Sequence, residues 1–186
     1  MSLVSFPSWS ETLTMDELVE RNDLYYKKFT NVPFTGEISG VESGSFKTGK
    51  KNGEWLVYHE NGQLRFVENY KKGKKEGIWK GYFENGDLSF KKSYKDGKKV
   101  GESVSYHENG QLWQIANWKD GKPEGPWRMY YDSGQLWMKG NWKERKKDGL
   151  WERYYENGQL KMKENYKDGN LIFSEYFNED GSPKQN

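Results

Sequence analysis

The sequence predicts an all-β protein, an elongated antiparallel sheet of repeated β-hairpins with a short N-terminal helical cap. The first observation is a period of 24 residues, since similar units begin at Gly53, Gly77, Gly101, Gly125 and Gly149. A fixed period of this size is typical of repeat architectures. The second is an Asn-Gly pair near the middle of most units, between two runs rich in aromatic and aliphatic residues. Because Asn and Gly tolerate positive φ angles, the pair predicts a two-residue type I′ turn, and hence one hairpin per unit.

The composition supports a thin, extended sheet within one domain. Hydrophobic residues make up only 33% of the 186 residues and charged residues 31%, which in a chain without a repeat indicates disorder. Aromatic residues, however, reach 17% and recur at fixed positions of the unit. A net charge of +2 favours no class of partner.

Several functions and locations are constrained by what the sequence lacks. There is no cysteine, which excludes disulfides and thiol chemistry. No stretch approaches the roughly 20 apolar residues of a membrane span. No signal peptide is visible, so we expect a cytoplasmic protein or, where a leader has been removed, a protein of the cell envelope or exterior.

Residues 1–24 do not follow the repeat and are predicted to cap the first edge of the sheet. Thr14 and Glu17 have the spacing of a capping box, which predicts a short helix over 15–21. The apolar side chains that this segment offers for burial are Phe6, Trp9, Leu13 and Leu18.

The repeat region is predicted to span 25–178. It starts with a truncated repeat, 25–52, whose first strand runs from Leu24 to Phe29. The full repeats that follow are 53–76, 77–100, 101–124, 125–148 and 149–172, with a last strand over 171–177 and a tail over 179–186.

Alternation along the strands sorts each repeat into two faces. A two-residue loop places residue 57 opposite 66 and residue 58 opposite 65. We name the face of Trp55, Phe66 and Tyr70 and their equivalents the spine face, because it is apolar in nearly every repeat. The opposite face, which carries Tyr58, we name the variable face. Ser103 interrupts the row of tryptophans on the spine face.

The variable face is mostly charged but becomes apolar in the third and fourth repeats. The predicted register places Tyr106 opposite Trp113 and Tyr130 opposite Trp137. Such a patch on a polar surface indicates a covered or recognised site, and Trp and Tyr are enriched at binding hot spots. It is covered by the N-terminal segment or a second copy, or it receives a partner. The aromatic patch consists of Val104, Tyr106, Trp113, Ile115, Tyr130 and Trp137.

The return turns are rich in lysine and line one edge of the predicted sheet. They form a candidate basic rim for anionic lipid, although lysines also keep turns soluble and protect sheet edges from pairing. Nucleic acid is not favoured, because most aromatic residues belong to the spine instead of a stacking surface. The rim lysines are Lys71, Lys72, Lys74, Lys75, Lys95, Lys98 and Lys99.

No catalytic, metal or cofactor site is predicted. His59 and His107 occupy the same repeat position two units apart, so the strand spacing places them about 20 Å from each other. They cannot share a metal ion or a proton relay. The row of carboxylates at the hairpin tips is expected to be solvated.

The recurring Gly-x-Trp-x-x-Tyr, Asn-Gly-x-Leu and Tyr-Lys-x-Gly-Lys segments resemble MORN-repeat variants. The opening segment Arg21-Asn22-Asp23-Leu24-Tyr25-Tyr26 and the later Pro33-Phe34-Thr35-Gly36 resemble the bacterial YwqK-type family, often labelled antitoxin. The resemblance covers about residues 15–178. It implies a MORN-like ribbon, a role in scaffolding or phospholipid binding and, through the antitoxin label, neutralisation of a partner protein.

We therefore expect a non-enzymatic repeat scaffold that binds a partner protein. An antitoxin or immunity-type neutraliser is one form that such a scaffold can take. The main alternative is association with anionic phospholipid through the lysine-rich turns. A further alternative is a choline- or saccharide-binding surface module, in which Trp and Tyr cage an ammonium group or stack on sugars.

Overall fold

The repeats fold as consecutive hairpins of one long sheet. The structure, a computed structural model, describes residues 11–184, and within that range the elements are strands and one short 3₁₀ turn. From residue 36 onwards the long strands pair antiparallel with the next long strand along the chain, and the one parallel pair of the described residues lies at the N-terminal edge. The predicted all-β fold of repeated hairpins is confirmed.

The N-terminal part covers the first edge of the long sheet. β1 pairs in parallel with β4, while β2 and β3 form a separate two-stranded sheet. Leu13 and Leu18 from this part are buried with Phe46 and Trp55 of the first hairpins. The elements are β1 (Thr12–Leu13), the 3₁₀ turn (Met15–Glu17), β2 (Leu18–Arg21), β3 (Leu24–Lys27), β4 (Gly36–Ile38) and β5 (Glu42–Lys47).

The predicted helix over 15–21 is wrong. The capping box does form, since the backbone N–H of Thr14 donates to Glu17 Oε2 at 2.9 Å. The helical turn nevertheless ends at Glu17, because β2 continues in extended conformation and pairs with β3. That pairing satisfies the backbone and buries Leu18, which a short isolated helix could not match. Phe6 and Trp9 lie outside the described residues.

The repeats contribute two strands each to the sheet. Most of these strands are eight or nine residues long. They are β6 (Lys50–Tyr58), β7 (Leu64–Lys71), β8 (Lys74–Lys75), β9 (Gly77–Tyr82), β10 (Leu88–Lys95), β11 (Lys98–Tyr106), β12 (Leu112–Lys119), β13 (Lys122–Tyr130), β14 (Leu136–Lys143), β15 (Lys146–Tyr154), β16 (Leu160–Lys167) and β17 (Asn170–Tyr176).

The type I′ geometry belongs to the lysine-rich turns and not, as predicted, to the Asn-Gly turns. Between paired Lys71 and Lys74, both Lys72 and Gly73 have positive φ, at 51° and 80°. At the other end of the hairpin the N–H of Gly62 donates to the His59 carbonyl, and Gly62 alone has positive φ. That is a three-residue loop, a type I turn followed by a bulge glycine.

The longer Asn-Gly loop displaces the register at the start of each second strand. Tyr58 lies opposite Leu64, and a β-bulge at Arg65 restores the predicted pairing of Val57 with Phe66. The pairing of residue 58 with 65 is therefore wrong at the hairpin tip, whereas the two faces survive along the rest of the strands.

Trp55, Trp79 and Trp151 of the spine face are buried by side chains of the adjacent strands, which explains how a single-layered sheet holds a core. Trp55 is 0% exposed and its indole N–H donates to the Ser45 carbonyl at 3.2 Å. Trp79 lies between the rings of Tyr70 and Tyr94, with centroids 5.1 and 5.3 Å away. Because these contacts join only adjacent strands, stability is distributed along the repeats.

The gap at Ser103 is filled from the neighbouring strand. Ser103 is buried, and its hydroxyl accepts a hydrogen bond from the Trp118 indole N–H at 2.8 Å. A small side chain with an acceptor at this position thus substitutes for the tryptophan that the repeat carries elsewhere.

Candidate protein-binding surface

A cross-strand row on the variable face contains the aliphatic part of the aromatic patch. Val104 lies directly opposite Ile115, and both side chains are half-buried. Lys91 precedes this pair in the row and Arg128 follows it, each opposite one of the two apolar residues. The row continues outward to Lys80 on one side. An apolar centre flanked by cations is therefore built into adjacent strands of the sheet.

The two tryptophans of the patch do not lie opposite the tyrosines assigned to them. The bulge at the hairpin tip places Tyr106 opposite Leu112, and Tyr130 opposite Leu136. Trp113 and Trp137 are the extra residues of these two bulges and have no partner on the opposite strand. The predicted pairs Tyr106–Trp113 and Tyr130–Trp137 are wrong for this reason.

Trp113 and Trp137 pack instead on the residue that precedes each Asn-Gly loop. The rings of Trp113 and His107 have centroids 6.5 Å apart, and those of Trp137 and Tyr131 lie 6.2 Å apart. Trp113 remains 40% exposed, while Trp137 is half-buried. The equivalent residues in other repeats are polar, namely Arg65, Ser89 and Lys161.

The residue before each loop also links consecutive hairpins, a role that the sequence reasoning missed. His107 Nε2 lies 3.0 Å from the Tyr130 carbonyl, and the Tyr131 hydroxyl donates to the Tyr154 carbonyl at 2.9 Å. These bonds hold the platform on which Trp113 and Trp137 rest. A polar aromatic residue at this position in four of five repeats, Phe83 being the exception, was the available signal.

Comparison with known proteins identifies the repeat. The MORN repeat variant profile matches five segments, residues 51–72, 75–96, 99–120, 123–144 and 147–168. The chain belongs to the MORN repeat variant family. MORN repeats are non-enzymatic modules that commonly bind proteins or membranes.

Other comparisons add little to this assignment. No curated protein matches the chain. Among solved structures, a chain described as the GtfA/B complex bound to UDP and GlcNAc is similar at 14% identity, with a TM-score of 0.21. The match covers 72% of this chain and 24% of that one, so the present chain spans about a quarter of its length.

The MORN repeats place the rim lysines in two different environments. Lys71, Lys72, Lys74, Lys95 and Lys98 are exposed in the turns, as a basic rim requires. Lys75 and Lys99 are half-buried on the spine face, where their ammonium groups lie 4.0 Å from the Trp79 ring centroid and 4.3 Å from that of Trp118. A lysine opens four of the five matched segments, as Lys51, Lys75, Lys99 and Lys147, and the fourth segment opens with Pro123.

Within residues 11–184, no group of three or more His, Cys, Asp or Glu side chains is arranged to hold a metal ion. The helical content of the same range includes nothing long and apolar enough to cross a membrane. The Nε2 atoms of His59 and His107 each form a hydrogen bond with a main-chain carbonyl of the next hairpin.

Proposed function

We propose that this chain binds a partner protein through the aromatic patch. Two observations carry the proposal: Trp113 is 40% exposed at its hairpin tip, and the same hairpin carries the apolar Val104–Ile115 pair on a face that is charged elsewhere. A tryptophan costs little conformational entropy to order and offers a large contact area, which makes it effective at interfaces. The first, second and fifth full repeats carry Arg65, Ser89 and Lys161 at this position, so the scaffold does not need a tryptophan there.

The charges around the patch favour a partner with an acidic rim. Lys80, Lys91 and Arg128 border the apolar pair, and none of them makes an ion pair with any residue between 11 and 184. Lys139, next in the row, is already held by Glu152 at 2.8 Å. Complementary charges at the border of an interface steer association and fix its register.

A role as an antitoxin or immunity-type neutraliser fits the same geometry. The sheet is rigid, so little order has to be gained on binding, and a broad face can cover the working surface of another protein. This assignment rests on the resemblance of the opening segment to the YwqK-type family and belongs to the proposal.

The test is capture of a specific protein from the native host by the tagged chain, followed by titration of the purified partner. Replacing Trp113 and Trp137 with alanine is expected to weaken binding by about 2 kcal/mol or more, roughly thirtyfold, because the pair forms the proposed hot spot. The matched control replaces Arg65 and Lys161, the same positions in other repeats, and is expected to leave the affinity unchanged.

A membrane role makes a different prediction in the same experiment. Flotation with anionic vesicles that is lost as salt rises, and that depends on the exposed rim lysines, would favour lipid association. Such a result, together with partner binding that is indifferent to the tryptophans, would contradict the proposal.

A further inference from the structure

Three lysines lie on neighbouring positions of the spine face, at the end of the first full repeat and within the second. Lys75 Nζ lies over the rings of Trp79 and Tyr94, 4.0 and 5.2 Å from their centroids. Lys92 is directly opposite Trp79, and Lys99 is directly opposite Tyr94. All three side chains therefore occupy one aromatic-walled area of the same face, and all three are half-buried.

The equivalent lysines of other repeats have carboxylates to neutralise them. Lys51 pairs with Glu42 at 3.1 Å, and Lys147 lies 3.8 Å from Glu164. Glu164 and Glu68 occupy the repeat position at which the second repeat carries Lys92. Here a cation thus stands where the first and fifth full repeats carry an anion.

No carboxylate compensates for that replacement within residues 11–184. Lys75, Lys92 and Lys99 make no ion pair there, and the nearby Glu68 accepts a hydrogen bond from the Tyr70 hydroxyl at 2.9 Å. Burial lowers the pKa of Lys92, and the charges of Lys99 and Lys75 lower it further. Such crowding of like charges is unfavourable unless an anion relieves it.

We propose that Lys75, Lys92 and Lys99 bind a tetrahedral oxyanion, a sulfate or phosphate group of a small soluble compound. Each ammonium group offers three donors, which suits the several oxygens of such a group. The ammonium groups of Lys75, Lys92 and Lys99 lie over the rings of Trp79, Phe90 and Trp118, at 4.0, 3.9 and 4.3 Å from the centroids. These rings exclude part of the water, so charge-assisted bonds to an anion gain strength. The site lies on the face opposite the Val104–Ile115 pair and is independent of the proposed partner surface.

Titration of the full chain with sodium sulfate and with sodium phosphate, at an ionic strength held constant with chloride, tests the proposal. We expect saturable binding and a melting temperature that rises with the concentration of either anion. K92Q is expected to weaken binding about tenfold or more, since one of three charged contacts is lost. K92E introduces the carboxylate that the first and fifth full repeats carry at this position and is expected to abolish binding.

The control variants are K74Q and K98Q, which remove exposed turn lysines beside Lys75 and Lys99 and should leave the affinity unchanged. Without added anion, K92Q should melt no lower than the unaltered chain, which separates loss of the site from loss of the fold. The proposal fails if sulfate and phosphate act no differently from chloride, or if K74Q and K98Q weaken binding as much as K92Q. It fails equally if anionic lipid vesicles bind in a Lys92-dependent way while the free anions do not.

Discussion

Position 55 and position 65 of the repeat, only ten residues apart, have opposite characters. Trp55, Trp79 and Trp151 are buried, and each donates its indole N–H to a main-chain carbonyl of the preceding strand. Position 65 lies in a β-bulge, where Arg65 and Trp113 are exposed. The buried tryptophans of the spine face therefore stabilise the sheet, whereas the residue in the bulge can vary without loss of the fold.

The largest expected effect comes from removing a spine tryptophan. Trp55→Ala should cost about 3–5 kcal/mol of unfolding free energy, since it empties a fully buried site that joins the N-terminal core to the repeats. Trp113→Ala should cost less than about 1 kcal/mol, because the ring is largely at the surface. Denaturant unfolding measures the loss of unfolding free energy in both variants. Equal losses would contradict the claim that the spine residue stabilises the fold more than the bulge residue.

A smaller effect is expected where the spine face requires a small residue. A Cβ atom on Gly140 would lie 2.2 Å from the ring of Trp151, so Gly140→Ala should cost about 1–3 kcal/mol by overpacking. Ala116 occupies the same repeat position in the third repeat, where it is buried opposite Ser103. Thermal unfolding of Gly140→Ala would contradict the packing account if the melting temperature were unchanged.

The smallest effect is a gain in stability at the one return turn between full repeats without glycine. Arg145 has a φ of 70°, a conformation costly for a side chain, and Gly97 has the same role at 84°. Arg145→Gly should stabilise the chain by roughly 0.5–1 kcal/mol, after allowing for the extra freedom of glycine in the unfolded state. Gly97→Ala should destabilise the chain. If both variants lowered the unfolding free energy, the positive φ of the turn would not be what determines stability at this position.

The hairpin repeat could be predicted from the sequence because its turn residues and aromatic residues recur at the same interval of 24 residues. The 24-residue spacing, the lysine-rich turns and the aromatic rows each pointed to hairpins, and together they fixed the two faces. The Asn-Gly pair was misjudged by one residue, since this dipeptide suits both a two-residue loop and the three-residue loop that the Gly62 N–H closes on His59. The three-residue loop keeps the two faces only because a bulge at Leu64–Arg65 follows it, and no local sequence pattern predicts that bulge.

The N-terminal helix and the spine lysines were missed for different reasons. Thr14 and Glu17 gave a genuine cap, but the backbone after it found partners in β3, a contact distant in space and invisible to local pattern. Lys75 and Lys99 looked like ordinary turn lysines, although strand alternation places them on the spine face opposite Tyr70 and Tyr94, and places Lys74 and Lys98 on the other face. Phase within the repeat, and not local composition, carried that information.

The comparison between copied and variable positions is tested most directly by exchanging the bulge residues. Trp113→Lys with Trp137→Lys gives the third and fourth repeats the residue that the fifth carries as Lys161. Titration of the purified partner protein should then show affinity lost by at least about thirtyfold, with the unfolding free energy nearly unchanged. Unaltered affinity in the exchanged chain would contradict the proposal that the aromatic patch is the binding surface.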